Sequence, residues 1–185
     1  LDIKGKKIII DAGPDFRYQM LRSQVKDLRA ILLTHGHKDH IGGLDDVRAF
    51  NWVKQGAVDV YGNEGTREVV YKDFSYAFAA FRYPGVPEIN YHVIDDRPFY
   101  IDDIQVVPIP VLHYKMPVLG FRIGNFAYIT DAKTIPASSM ERLKGVEYLV
   151  INALRKELHM SHFNLEEALT MIARIQPKSA FLTHI

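Results

Sequence analysis

The sequence holds 185 residues, 48% of them hydrophobic, with 23 Lys and Arg against 22 Asp and Glu, a formal charge of +1 and no cysteine. That length suits one well-buried domain, residues 1–185, and the even charge lacks the basic footprint of a dedicated nucleic-acid binder. Without thiols there are no disulfides, thiolate zinc sites or cysteine nucleophiles, so any metal must be held by nitrogen and oxygen. No apolar run approaches the ~18 residues of a membrane span and no basic-then-apolar leader opens the chain, so a soluble, cytoplasmic protein is expected.

In chain order, Leu1-Asp2-Ile3 and Ile8-Ile9-Ile10-Asp11 flank Lys4 to Lys7 as an apparent hairpin. The chain opens there without a methionine and closes on His184-Ile185 after an apolar run, so residues are expected beyond both ends. Ile8 to Ile10 and Ala30 to Leu33 read as buried strands running into functional loops. Gly42 to Val53 and Glu64 to Lys72 read as helices, and the aromatic-rich, proline-punctuated stretch from Phe74 to Tyr91 as a loop over the core. Val106 to Leu112, Leu119 to Ile123, Phe126 to Thr130 and Tyr148 to Ile151 read as strands, with Gly124-Asn125 as a hairpin turn. Asn164 caps a helix with Glu167 three residues on, Pro177 ends it, and Ser179 to Thr183 is a last strand. Strands alternate with helices, with hairpins between, which predicts a layered α/β architecture with a mixed sheet.

The stretch Thr34-His35-Gly36-His37-Lys38-Asp39-His40 packs three imidazoles and a carboxylate into six residues at the end of an apolar strand. A lone histidine is more often a cap or a surface residue. Unligated imidazoles this close would penalise one another's protonation without gaining core packing, so the cluster predicts a metal site, with His35 and His37 sharing one cation and Asp39 and His40 facing a second position.

Thr34 to His40 also matches the H-x-H-x-D-H motif of the metallo-β-lactamase-fold hydrolases, and the resemblance extends along the whole chain. It implies a four-layer αββα sandwich of two mixed sheets. Ile10-Asp11-Ala12-Gly13 resembles the upstream strand-end motif, whose acid, here Asp11, supports the metal site from behind its ligands. The resemblance implies two divalent ions, one on His35, His37 and His113, the other on Asp39, His40 and His184, with Asp131 and a water or hydroxide bridging them. His113, Asp131 and His184 each follow an apolar run. Zinc is the expected metal, with manganese or iron tolerated by the same donors. The implied chemistry is hydrolysis by a hydroxide made available near neutral pH, with Asp39 counted among the catalytic groups.

For the substrate, Ser161-His162-Phe163-Asn164 puts an imidazole beside a helix N-terminus, where amide hydrogens favour an anion. On composition alone His162 would be a capping or solvent-facing residue. Gly13-Pro14-Asp15-Phe16-Arg17, Gly43-Leu44-Asp45-Asp46 and Ser161-His162 followed by Leu165-Glu166-Glu167-Ala168 resemble the phosphonate-operon cyclic phosphodiesterase branch and its uncharacterised relatives. In that branch the position of His162 implies an acid for the leaving oxygen. A small, possibly cyclic phosphodiester is the expected substrate, a thioesterase or lactonase the alternative, and a tRNA 3′-end-processing endonuclease the next. No membrane or stable nucleic-acid partner is expected, and a homodimer is left open. The cysteine-rich N-terminal segment common in the branch, with its structural zinc, does not occur in these residues. His159, Arg155, His92, Arg17, Tyr18 and Arg48 are assigned to ordinary surface or structural positions.

Overall fold

A computed structural model describes residues 1–185, which divide into two compact units, Leu1–Asp95 and Asp96–Ile185. No helix is long and apolar enough to cross a membrane.

The first unit runs β1 (Asp2–Ile3), β2 (Lys6–Ile10), α1 (Phe16–Arg22), β3 (Ala30–Leu32), α2 (Lys38–Ile41), a 3-10 turn (Leu44–Val47), α3 (Arg48–Lys54), β4 (Val58–Gly62), α4 (Glu64–Asp73), α5 (Ser75–Phe78) and β5 (Ile89–Val93). Its sheet has the order β1-β2-β3-β4-β5, with β1 antiparallel to β2 and the rest parallel. Lys4 and Gly5 both take positive φ, 52° and 81°, the combination a two-residue hairpin turn needs. Because parallel strands bury both faces, β3 is wholly buried, and Ile31 and Leu33 share a core with Phe16, Leu44, Val58 and Val60.

The second unit runs β6 (Phe99–Ile101), β7 (Ile104–His113), β8 (Met116–Ile123), β9 (Phe126–Ile129), α6 (Ala137–Arg142), β10 (Tyr148–Asn152), α7 (Leu165–Ile175) and β11 (Ser179–Thr183). Its sheet has the order β11-β10-β9-β8-β7-β6: the β6 to β9 pairs are antiparallel meanders, and β9, β10 and β11 are parallel. Parallel neighbours need a crossover, and α6 and α7 supply them. Asn164 and Glu167 form the capping box expected at the start of α7.

The helix read over Gly42–Val53 is instead broken into the 3-10 turn and α3. Gly43, at φ −95°, lies against the Ala12–Gly13 backbone and receives no continuous helical bonding. The stretch read as a loop from Phe74 contains the short α5, and Tyr91 lies within β5. Leu33 and Thr130 fall just past their strands, where the chain turns toward the residues that follow.

Candidate metal centre

Parallel strands deliver their C-terminal ends to one side of a sheet, and in the first unit β2 and β3 end there together. Asp11, the residue after β2, adopts φ 61°, a left-handed conformation that costs a non-glycine residue about 1 kcal/mol. That bend brings its carboxylate beneath the histidine loop. Thr34 donates its backbone N–H to Asp11 Oδ1 at 2.8 Å and its hydroxyl to Oδ2 at 2.9 Å, and His40 Nδ1 lies 2.7 Å from Asp11 Oδ2. A carboxylate at Nδ1 fixes the tautomer that leaves Nε2 as a metal-facing lone pair. Burial pushes the Asp11 carboxyl above its ordinary range, while the bonds from His40 and Thr34 pull the other way.

His35 Nε2 and His37 Nδ1 lie 2.9 Å apart, and the His35 ring centroid is 4.1 Å from that of His40. Two imidazole nitrogens facing each other at that distance require a proton or a cation between them. His37 and Asp39 are exposed, and Asp39 Oδ2 lies 3.3 Å from His40 Nε2. Two backbone bonds hold this loop to the chain just past β2: Ala12 N donates to the His40 carbonyl and Gly43 N to the Ala12 carbonyl, both at 2.7 Å.

In the second unit Asp131 follows β9 at φ 55°, and His184 follows β11 at φ 53°. Asp131 is buried; Thr130 Oγ1 donates to its Oδ2 at 2.7 Å, and its Oδ1 lies 3.4 Å from His184 Nε2 and 3.7 Å from His162 Nδ1. His113, closing β7, places Nδ1 2.9 Å from the Ser161 carbonyl, which the ring therefore meets as an N–H donor. Ligand atoms of His113, Asp131 and His162 lie within 4.8 Å of one another. His162 Nδ1 is buried with no hydrogen-bond partner, and its ring stacks at 19° on His184. Burial, opposed by the Asp131 carboxylate and reinforced by His113, His184 and His159, pushes the His162 imidazole down to about 4. It is thus neutral near pH 7 in this state. The Asp131 carboxylate with the half-buried imidazoles of His113 and His184, nitrogen and oxygen donors only, fits a divalent cation of borderline hardness.

The two units thus carry Asp11, His35, His37, Asp39 and His40 in one, and His113, Asp131, His162 and His184 in the other. The structure also assigns places to residues without a role in the sequence reading. Thr34 ties Asp11 to the start of the motif. Asn152, wholly buried at the end of β10, accepts from Ala132 N at 2.9 Å and donates to the Ala132 carbonyl at 3.0 Å, bracketing the residue after Asp131. An amide ending an apolar strand was the visible signal. His159 stands 5.0 Å from His162, ring to ring, and its Nδ1 accepts from Ser161. His92 bonds Asp59 at 2.9 Å, a structural contact within the β4–β5 pair.

A family model described as the Beta-lactamase superfamily domain matches residues 6–185, across both units. The chain belongs to the beta-lactamase superfamily. Its two mixed sheets with helices are the metallo-β-lactamase fold, shared by metal-dependent hydrolases whose members bind divalent metals. This superfamily member is 36% identical to a protein solved as a new diphosphatase from the PhnP family, with a TM-score of 0.91 over 99% of this chain and 70% of that one. It is 39% identical over 183 residues to a Porphyromonas gingivalis protein named octanoyltransferase, covering 98% of this chain and 37% of that protein. It is 30% identical over 121 residues to a ribonuclease Z of Nostoc punctiforme, covering 63% of this chain and 37% of that enzyme. The chain thus spans little more than a third of the length of these curated relatives.

Proposed function

We propose that this chain hydrolyses small phosphodiesters, including cyclic or diphosphate-linked ones, with two divalent metals as cofactors. The observation that carries this is His162: a buried imidazole 3.7 Å from the Asp131 carboxylate, its Nδ1 without a hydrogen-bond partner. The 36% identical diphosphatase of the PhnP family supports phosphoryl rather than acyl chemistry. The octanoyltransferase name belongs to a protein of which this chain matches 37%, so it lends little to an acyl-transfer reading.

The ligands we assign are His35, His37, Asp39, His40, His113, Asp131 and His184, with Asp11 orienting His40 through Nδ1. Zinc suits these donors, and manganese or iron the oxygen-rich part of them. Bound there, the metals would lower the pKa of water toward neutrality and stabilise negative charge developing on phosphorus oxygens. The chain's own residues do the rest. His162, neutral at rest, gains affinity for a proton when an anionic phosphate enters beside it, and can then protonate the departing oxygen. Asp39, the exposed carboxylate of the set, is placed to accept a proton from attacking water.

The test is turnover of bis(p-nitrophenyl) phosphate, a nucleoside 2′,3′-cyclic phosphate and a dinucleoside diphosphate by protein loaded with zinc or manganese, beside His37→Ala. Metal-dependent hydrolysis lost in the variant supports the proposal. Turnover confined to thioesters or lactones would replace it with the acyl reading, and cleavage of precursor tRNA with the endonuclease reading.

A further inference from the structure

One imidazole beside the proposed acid has no part in holding metal. His162 packs against the rings of His113, His159 and His184, and of these only His159 is outside the assigned ligands. His159 belongs to a loop, residues 154–163, whose base is closed by backbone bonds from Leu154 N to the Phe163 carbonyl at 3.0 Å and from Leu165 N to the Arg155 carbonyl at 2.9 Å. Side chains brace it from within: Asn164 Nδ2 donates to the Lys156 carbonyl at 3.0 Å, and the Arg155 guanidinium to the Leu158 carbonyl at 2.9 Å. Leu158 and Met160 are 73% and 67% exposed, while His159 between them is half-buried, 5.0 Å ring to ring from His162. A short loop closed at its ends and packed by its own side chains is the kind that presents a functional group.

The hydrogen bonds of His159 decide what it presents. The Ser161 N–H lies 3.3 Å from Nδ1 and can only donate, so Nδ1 carries the lone pair and the proton is on Nε2. The Ser161 hydroxyl meets the same lone pair at 3.2 Å. Nε2–H is thus a donor of fixed tautomer, without a partner of its own. Ser161 in turn accepts the His113 Nδ1–H on its carbonyl at 2.9 Å, so one residue ties the loop to a proposed ligand.

We infer that His159 is a substrate-binding residue whose Nε2–H donates to an oxygen of a departing phosphate, which makes diphosphate-linked diesters the substrate class; this rests on the phosphodiesterase reading above. In that reaction the oxygen of water bonds to one phosphorus and the bridging bond to the other phosphate breaks. The electron pair passes to the departing bridge oxygen, which His162 protonates, and His159 holds a second oxygen on the same departing phosphorus. Two imidazoles at this spacing can each meet one oxygen of a single phosphoryl group, whereas a departing alkoxide or phenolate brings one oxygen only. Charge points the same way. The loop carries exposed Arg155 and Lys156 against a single acid, Glu157, and a departing phosphate is more anionic than a departing alcohol.

Asparagine and glutamine separate the two ring nitrogens. The Asn carboxamide reaches only the position of Nδ1 and still accepts from Ser161, while the Gln carboxamide reaches the position of Nε2 and still donates there. In zinc- or manganese-loaded protein, His159→Asn should lower kcat/KM on a dinucleoside diphosphate at least about tenfold more than on bis(p-nitrophenyl) phosphate, as loss of a bond to an anionic oxygen requires. His159→Gln should keep the wild-type ratio of the two substrates within about threefold, and both variants should hold wild-type metal by mass spectrometry. An Asn variant that keeps the ratio overturns the inference and leaves His159 only the task of holding Ser161. So does a Gln variant that loses the ratio as deeply as Asn, or a loss of metal in the Asn variant, which would trace the effect to His113. Wild-type protein that cleaves bis(p-nitrophenyl) phosphate but no dinucleoside diphosphate overturns this inference and leaves the phosphodiesterase proposal standing; turnover of neither ends both.

Discussion

Gly43→Ala tests whether the histidine loop is held in place by backbone contact. Gly43 has φ −95°, which alanine adopts freely, so any loss comes from contact and not from backbone conformation. A Cβ there would overlap the Gly13 carbonyl oxygen outright and sit 2.6 Å from Phe16 Cβ and 3.2 Å from the Ala12 carbonyl oxygen. Reaching ordinary contact requires the two backbones to part by on the order of 1 Å. That motion stretches the 2.7 Å bonds from Gly43 N to the Ala12 carbonyl and from Ala12 N to the His40 carbonyl. At about 1 kcal/mol for each of the two bonds, with 1–3 kcal/mol for overpacking beside the buried Phe16, the cost is about 3–5 kcal/mol. For a chain of this size that lowers the melting temperature by roughly 6–20 °C. Because the carbonyl that moves belongs to His40, bound metal should fall with it. Gly56→Ala, where a Cβ meets nothing within 4 Å, is the control and should melt within about 1 °C of wild type. Thermal melts followed by circular dichroism, with metal counted by mass spectrometry, decide the matter. A Gly43→Ala protein that melts with the control and keeps its metal would refute the reasoning.

Acidification of the metal-free protein should expose the buried imidazole of His162. Its folded value, about 4, lies below the ordinary 6.5, so the stability its neutral form contributes is fully present above pH 6.5 and is lost as pH falls toward 4. Discounted for partial solvent screening, that is about 1–2 kcal/mol, and denaturant titrations at pH 7 and pH 4.5 should show His162→Asn losing less than wild type by that amount. Asn152→Ala should cost about 1–3 kcal/mol, because it leaves the Ala132 N–H buried without a partner while the Ala132 carbonyl keeps the Phe163 N–H, and should reduce bound metal by loosening Asp131; unchanged urea midpoint and metal content would count against that bracket.

The parts of this molecule legible in its sequence are those coded by neighbours in the chain. The six residues His35 to His40 declare themselves by density, and β2, β3, β7, β9 and β10 by unbroken apolar runs. The helix α7 declares itself by a cap and a spacing written within eleven residues. α1 hides because only Phe16 and Met20 of its seven residues are buried, too few to set a period. β5 hides because Asn90 and His92 face outward on a short strand. What no local reading could supply is contact at long separation. The Gly13–Gly43 approach joins residues thirty apart and breaks a helix that periodicity favoured. Asn152 acts on a residue twenty positions away. Motif resemblance proposed Asp11 as a support for the metal site, but only the fold shows Thr34 and His40 as its partners.

The bent strand ends suggest where the energy of metal binding goes. Asp11, Asp131 and His184 each leave a strand in the left-handed conformation, φ 61°, 55° and 53°, at about 1 kcal/mol apiece. Strain of this kind persists only where something else fixes the conformation, and at a side chain whose direction matters it is the cost of aiming. Asp131 separates the two roles cleanly. Asp131→Gly and Asp131→Ala both remove the carboxylate, but glycine accepts φ 55° and alanine does not. In chelated protein the glycine variant should therefore be more stable than the alanine variant by about 1 kcal/mol, and level with or above wild type in spite of losing the Thr130 bond. Adding zinc should then raise the melting temperature of wild type and leave both variants well behind, since ligand binding stabilises only the state that binds it. Equal melting of the two chelated variants would mean the bend at Asp131 stores no strain. A zinc-induced rise in either variant as large as in wild type would remove Asp131 from the proposed ligands.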